Sequence, residues 1–246
     1  MGKKGGSLKT KRAEVPSFWK ISKKDKRFVI RTEPGPHPKG YSYPLLVLIR
    51  DVLRLAKTNR VATQALNDGK IMVDGKVVRS PRFPVGLMDV IDIPAIGKSF
   101  RIVPSRGGLE PVEIPSSEKD LKLCIVTNKS TLRRAKTVCG LHDGRVLSPA
   151  AEVEIGLGDS CILKVPGQEF QTSFKLTNGE LALLTRGERS GEIVTVEDFK
   201  PGTYSRGAIA SVRLADGTSS ELPSDILMPL GKQAPNLTLS KRSASQ

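Results

Sequence analysis

The chain has little of what most enzymes are built around. It carries two histidines and three cysteines, Cys124, Cys139 and Cys161, and no two cysteines form a C-x-x-C pair. That leaves too few clustered ligands for a zinc site, so the cysteines are expected as ordinary buried thiols. Aromatic residues make up 4%, and Trp19 is the single tryptophan. No apolar run approaches the ~20 residues that span a bilayer, and the N-terminus lacks the apolar core of a secretion signal. A cytoplasmic protein with no membrane partner is expected. No strand-GxGxxG-helix stretch, nucleophile elbow or recognisable carboxylate pair is present. The sequence therefore predicts no catalytic residue, no metal, no cofactor and no small-molecule substrate.

Positive charge is what the chain has in excess. Its 40 Lys+Arg against 25 Asp+Glu give a net charge of +15 over 246 residues. A surface that repels itself this strongly is commonly neutralised by phosphates, so nucleic acid is the leading partner. The surplus is uneven. Residues 1–42 hold 12 bases against 3 acids, 43–93 hold 8 against 5, 94–171 hold 11 against 9, 172–230 hold 6 against 8, and 231–246 hold 3 against 0. Hydrophobic content of 38% allows real cores, while 17 Pro and 23 Gly favour several small domains over one large one.

The stretch from Pro44 to Ile93 organises the rest. Pro44 suits a first helical turn, and Leu45, Leu46, Leu48, Ile49, Val52, Leu53, Leu55 and Ala56 recur at helical spacing, leaving Arg50, Asp51, Arg54 and Lys57 for the opposite face. Thr58 and Asn59 can cap a second helix with Val61, Ala62, Ala65 and Leu66 as its buried stripe, and Asp68-Gly69 can end it. Ile71–Val73 and Val77-Val78 flank Asp74-Gly75, a strong signal for a tight hairpin, and Val90, Ile91 and Ile93 supply a third strand.

On either side the chain is simpler. Met1 to Arg12 is Lys, Gly, Ser and Arg with one leucine, which predicts disorder in isolation and either an arm lying on RNA or a solubilising tail. Trp19 can stack on an exposed base or anchor a core, and packing is the commoner use of a lone tryptophan. Pro34-Gly35-Pro36-His37-Pro38 marks a loop. From Pro94 to Gln171, short alternating runs between glycines and prolines suggest a small barrel. Past Phe174, Leu181–Leu184 and Ile193–Val196 flank a glycine turn, and Ala208–Leu214 and Thr218–Leu222 flank Asp216-Gly217. Residues 231–246 are polar and expected to be a disordered tail.

The expected fold is multidomain α+β: a basic N-terminal arm at 1–42, a helical-hairpin plus β-hairpin RNA-binding module at 43–93, a central barrel-like β domain at 94–171, a small C-terminal β-barrel at 172–230 and a polar tail at 231–246. Candidate RNA contacts are chosen as exposed cations, with one amide, beside turns and helix starts. In the arm they are Lys3, Lys4, Lys9, Lys11, Arg12, Lys20, Lys23, Lys24 and Arg27. In the module they are Arg54, Lys57, Arg60, Gln64, Lys70, Lys76, Arg79 and Arg82. Further on they are Lys129, Arg133, Arg134 and Lys136, then Arg186, Arg189 and Arg206. The bland reading of each is a solvated charge.

The run Asn59-Arg60-Val61-Ala62-x-x-Ala65-Leu66-x-x-Gly69-Lys70-Ile71-x-Val73-Asp74-Gly75 resembles the RNA-binding domain named after ribosomal protein S-four. Gly86-Leu87-Met88-Asp89 departs from the usual Gly-Asp by two inserted residues, which resembles the archaeal and eukaryotic branch. Leu181 to Val196 is similar to the KOW motif of ribosomal proteins and elongation factors; Gly187 and Gly191 match, and Val194 stands where a later glycine is usual. The order of arm, module, β domain, KOW-like segment and tail is similar to the small-subunit ribosomal family of the S-four-e type. That resemblance implies a structural constituent of the small subunit, in contact with small-subunit ribosomal RNA and neighbouring ribosomal proteins. The alternative is a free translation or assembly factor built from the same modules; retention on salt-washed subunits separates the two. A pseudouridine synthase is disfavoured, since Gly144-Arg145-Val146-Leu147 lacks the nucleophilic aspartate such enzymes place after Gly-Arg-Leu.

Overall fold

The computed structural model describes residues 7–21, 27–132, 137–148, 155–203, 207–233 and 237–239. Of the candidate contacts, Lys3, Lys4, Lys23, Lys24, Arg133, Arg134, Lys136 and Arg206 lie outside the described residues.

The N-terminal segment is tied down earlier than its composition suggests. Strand β1 (Lys9–Lys11) pairs antiparallel with β2 (Phe28–Ile30). Thr10 and Val29 are buried in that pair, and the Thr10 hydroxyl donates to Glu14 Oε2 at 2.8 Å. Disorder through Arg12 is therefore corrected for residues 9–12. Trp19 is fully buried and donates from Nε1 to Ser42 O at 2.9 Å. It stacks on Tyr43, while Phe18 meets the same ring edge-on. The tryptophan is thus a core anchor and is not available to a base.

Strand β3 (Tyr43–Pro44) pairs with β6 (Pro84–Val85) and leads into α1 (Leu45–Val47), which continues as a π-helical turn over Leu48–Val52. The first helix was expected to reach Lys57 and ends five residues earlier. Its residues 45–49 are all buried, and no amphipathic stripe sets its period. Arg50, expected in solvent, is buried and donates to the Asp51 carboxylate and to Asn59 Oδ1. Leu55, expected on the buried stripe, is exposed.

Helix α2 (Asn59–Asn67) starts where Thr58 Oγ1 accepts from the Val61 N–H at 3.3 Å. Its buried line is Ala62 and Leu66, four apart, and Val61, one step round, faces solvent. Then β4 (Met72–Val73) and β5 (Lys76–Val77) form a hairpin closed by Asp74-Gly75. Both turn residues have positive φ, 49° and 73°, as a primed turn requires.

The expected boundary at residue 93 falls inside a sheet. Strand β7 (Val90–Ile93) pairs with β8 (Lys98–Ser105), which pairs with β9 (Gly108–Ile114), giving the order β5-β4-β7-β8-β9. A second sheet holds β10 (Leu121–Thr131), β11 (Thr137–Leu141), β12 (Val146–Leu147), β13 (Ser160–Lys164) and β14 (Glu169–Phe174) in the order β12-β11-β10-β13-β14. The third holds β15 (Leu181–Leu184), β16 (Ile193–Lys200), β17 (Ile209–Arg213), β18 (Ser219–Pro223) and β19 (Leu227–Gly231) in the order β18-β17-β16-β15-β19.

Four apolar clusters follow from these sheets. One joins the N-terminal segment to the two helices and the first sheet. One lies in the central sheet and contains all three cysteines, which are unbridged. One lies in the last sheet. The fourth gathers Met88 of the 86–89 turn with Leu123 and Ile162 of the second sheet and Leu183, Met228 and Leu230 of the third, so it joins those two sheets beneath that turn. Leu237 and Leu239 are buried in it, which corrects the expectation that the polar C-terminal stretch is wholly disordered. Among the described residues no helix is long and apolar enough to cross a membrane.

Candidate nucleic-acid interface

The best-displayed cations lie around α2 and the hairpin. After the π-helical turn, Arg54 takes a left-handed backbone, φ 55°, and the chain reverses through exposed Lys57 into α2. Arg60 and Gln64, four residues apart, lie on the exposed side of that helix, and Lys76 is exposed beside the hairpin turn. Arg54, Lys57, Arg60 and Lys76 have no ion-pair partner among the described residues. The first turn of α2 contains no acid. A helix start presents free N–H groups and a partial positive charge, so cations concentrated there raise the potential further. An anion is the group that relieves it.

Most other predicted contacts are partly or fully engaged. Lys70 pairs with Asp68 at 3.0 Å on the surface. Arg79 donates from Nε to Asn67 O at 3.4 Å, and half-buried Arg82 donates from Nε to Arg31 O at 3.0 Å. In the N-terminal segment Lys9 and Lys11 are exposed, while Arg12 is committed to Ile21 O at 3.0 and 2.5 Å. Lys20 pairs with Glu110 at 2.7 Å, and the Arg27 guanidinium lies 5.6 Å from the Phe28 ring centroid. Lys129 donates to Ile155 O at 3.0 Å. Arg189 pairs with Asp216 at 2.7 Å. Arg186 lies over the Tyr41 ring at 4.3 Å.

Sequence reasoning missed a buried ionic cluster behind the hairpin. Lys122, on β10, is 1% exposed and reaches Asp89 at 2.5 Å, Asp74 at 2.7 Å and Asp143 at 2.9 Å. Arg145 donates to Asp74 Oδ2 at 2.7 Å, and the His37 ring meets Asp89 Oδ1 at 3.0 Å. Burial alone would favour neutral Lys122, yet Asp89 and Asp74 outweigh it and hold the ammonium pKa well above its usual value. Asp89 is likewise burdened by burial but pulled below the usual carboxylate range by His37 and Lys122. Burial, reinforced by the Lys122 charge, pushes His142 down to about 4. Its Nδ1 accepts from the Ile125 N–H and its Nε2 faces Leu87 O at 3.2 Å.

This cluster fastens the hairpin turn, the 86–89 turn and the proline-rich loop to the central sheet. It offers no nucleophile. Lys122 stays charged, and burial raises the thiols of Cys124 and Cys161, the latter to about 12. No group of three or more potential metal ligands occurs among the described residues. Arg101 is a second missed cation, 1% exposed on β8, donating to Glu118 Oε2 at 2.7 Å and to the carbonyls of Leu121 and Thr238. Alternation around β8 and β10 was visible in the sequence, but no local signal marks which cation on a strand turns inward.

Comparison with known proteins places this architecture. Family models match residues 4–40 (RS4NT (NUC023) domain), 44–91 (S4 domain) and 96–170 (ribosomal family S4e). The small ribosomal subunit protein eS4 of Korarchaeum cryptofilum is 37% identical over 245 residues, covering 97% of this chain and all of that one. The eS4 of Desulfurococcus amylolyticus is 33% identical over 247 residues, covering 97% of this chain and 98% of that one. The crystal structure of the 30S ribosomal protein S4e from Thermoplasma acidophilum superposes with a TM-score of 0.65 at 29% identity, over 78% of this chain and 95% of that one. Matched in this way almost from end to end, the chain belongs to the ribosomal protein family S4e.

Proposed function

We propose that the chain is a structural constituent of the small ribosomal subunit, working in the cytoplasm as part of the ribosome. It binds small-subunit ribosomal RNA and contacts neighbouring ribosomal proteins, and it catalyses no reaction. The observation that carries this reading is the set of unpaired cations, Arg54, Lys57, Arg60 and Lys76, at and beside the acid-free start of α2. Elsewhere many cations meet acids or carbonyls of the chain itself; here a polyanion supplies the missing charge. The exposed β1 lysines, with Lys3 and Lys4 before them, extend the contact along phosphates. The last sheet is a KOW-type barrel whose 185–190 turn adds Arg186.

The test is binding of the full chain to a small-subunit ribosomal RNA transcript at several salt concentrations. Each phosphate contact contributes roughly 0.7–0.9 to the slope of log K against log salt. Replacing Lys57, Arg60 and Lys70 by alanine together is expected to lower affinity and reduce that slope by about 2 units. An unchanged slope places the grip elsewhere.

A further inference from the structure

The rings that could read RNA are mostly consumed by packing: Phe18, Trp19 and Tyr43 are buried against one another. Tyr41 is not. It closes the short turn Lys39–Tyr41, its N–H donating to Pro38 O at 3.0 Å, and it remains 47% exposed. The Arg186 guanidinium lies over its ring, 4.3 Å from the centroid. Arg186 has no acid partner among the described residues, whereas Arg189 in the same turn meets Asp216 and nearby Arg106 meets Glu188 at 3.0 Å.

Both members of the stack are held by fixed backbone. The 185–190 turn is closed by Ser190 Oγ donating to Thr185 O at 3.1 Å and by the Gly191 N–H donating to Leu184 O at 2.8 Å. Thr185 is tied to Ile226 O through its N–H and its hydroxyl, each at 2.9 Å. Tyr41 and Arg186 line one open cavity of about 460 Å³, walled by Phe18, Leu109 and by Gly107 and Gly108 where β8 turns into β9. That volume lies within the ~300–1,000 Å³ of small-ligand sites. Among the described residues Arg186 is the one charged residue of the lining, and Ser17, Thr185 and Ser190 accompany it.

We infer that Tyr41 and Arg186 form a stacking site for one unpaired nucleotide of the ribosomal RNA. A phenol ring and a guanidinium plane both present faces on which any base stacks, and the N–H groups of Arg186 are left to donate to that nucleotide's phosphate. This site adds a base contact to a surface that otherwise holds phosphates. It rests on the RNA-binding reading above.

The test uses the full chain with a small-subunit ribosomal RNA transcript, read by affinity, by salt slope and by short-wave ultraviolet crosslinking with mass spectrometry of the adducts. Y41L is expected to lose about tenfold in affinity with an unchanged salt slope, and to lose a nucleotide adduct that the parent chain carries at Tyr41. Y41F keeps both affinity and adduct. R186A loses affinity and flattens the slope by about one unit, while R186K restores the slope and recovers only part of the affinity. Circular dichroism confirms that each variant is folded. Parent-like binding by Y41L and R186A, with no adduct at either position, overturns the site while leaving the α2 grip standing, provided the α2 triple variant still flattens the slope. Protection of Tyr41 by neighbouring ribosomal proteins without RNA also overturns it. A parent chain that binds no ribosomal RNA removes both readings together.

Discussion

Lys122 is enclosed in protein yet keeps its charge because Asp74, Asp89 and Asp143 all lie within 2.9 Å of its ammonium group. Taking those charges out of water costs several kcal/mol per ion, and only their mutual geometry returns it. Removing the lysine leaves the carboxylates facing one another with Arg145 as the main remaining cation. Lys122→Ala is therefore expected to destabilise the chain by about 3–5 kcal/mol in guanidinium unfolding. Lys98→Ala, which breaks the surface pair with Glu113, is expected to cost no more than about 1 kcal/mol. Similar costs for the two would show that the cluster contributes nothing beyond a surface pair. Neither difference is legible in the text of the chain. Lys122 and Lys129 lie on the same strand, and only the partners folded in from residues 74, 89 and 143 decide which one is buried.

Local elements were legible where two local signals agreed. The Thr58 cap, Ala62 and Leu66 of the expected four-residue stripe, and Asp74-Gly75 all have their cause within a few residues and are present in the structure, whereas Val61 of that stripe faces solvent. The first helix was legible at its start but not in its end or its faces: it stops at Val52, and the expected polar residue Arg50 is buried in contacts with Asp51 and Asn59 that depend on the next helix. Gly191 shows a motif residue whose reason lies elsewhere in the fold. It has φ 89°, and a β-carbon there would lie 2.5 Å from Pro104 O on β8, so the turn after β15 presses on the first sheet's backbone. Gly187 has φ 98° and open space around it. Gly187→Ala is expected to cost about 1–2 kcal/mol from backbone strain alone. Gly191→Ala adds the clash and is expected to cost about 2–5 kcal/mol. Thermal unfolding of the two variants decides it, and equal losses would mean that β8 does not constrain the turn.

At the scale of the molecule, charge and fold are arranged for different tasks. The second and third sheets share one apolar cluster with the 86–89 turn, sealed by Leu237 and Leu239, and the Lys122 cluster fastens the α2 module to the central sheet. The free cations are left outside this frame. Composition already pointed to a polyanionic partner, and the order of segments already resembled the S-four-e family. That one sheet crosses residue 93 was not readable, because nothing local distinguishes a strand that ends a sheet from one that continues it, and β7 continues it. The tail was misread for a related reason: two leucines in polar surroundings look solvated until a shared core is there to receive them. The central claim, that the α2 face is the surface turned toward ribosomal RNA, is tested most directly by acylating lysines in the free and RNA-bound chain and reading each position by mass spectrometry. Lys57 and Lys76 are predicted to lose most of their reactivity on binding while exposed Lys164 and Lys232 keep theirs; Lys57 and Lys76 reacting equally in the free chain and in the complex would contradict the account.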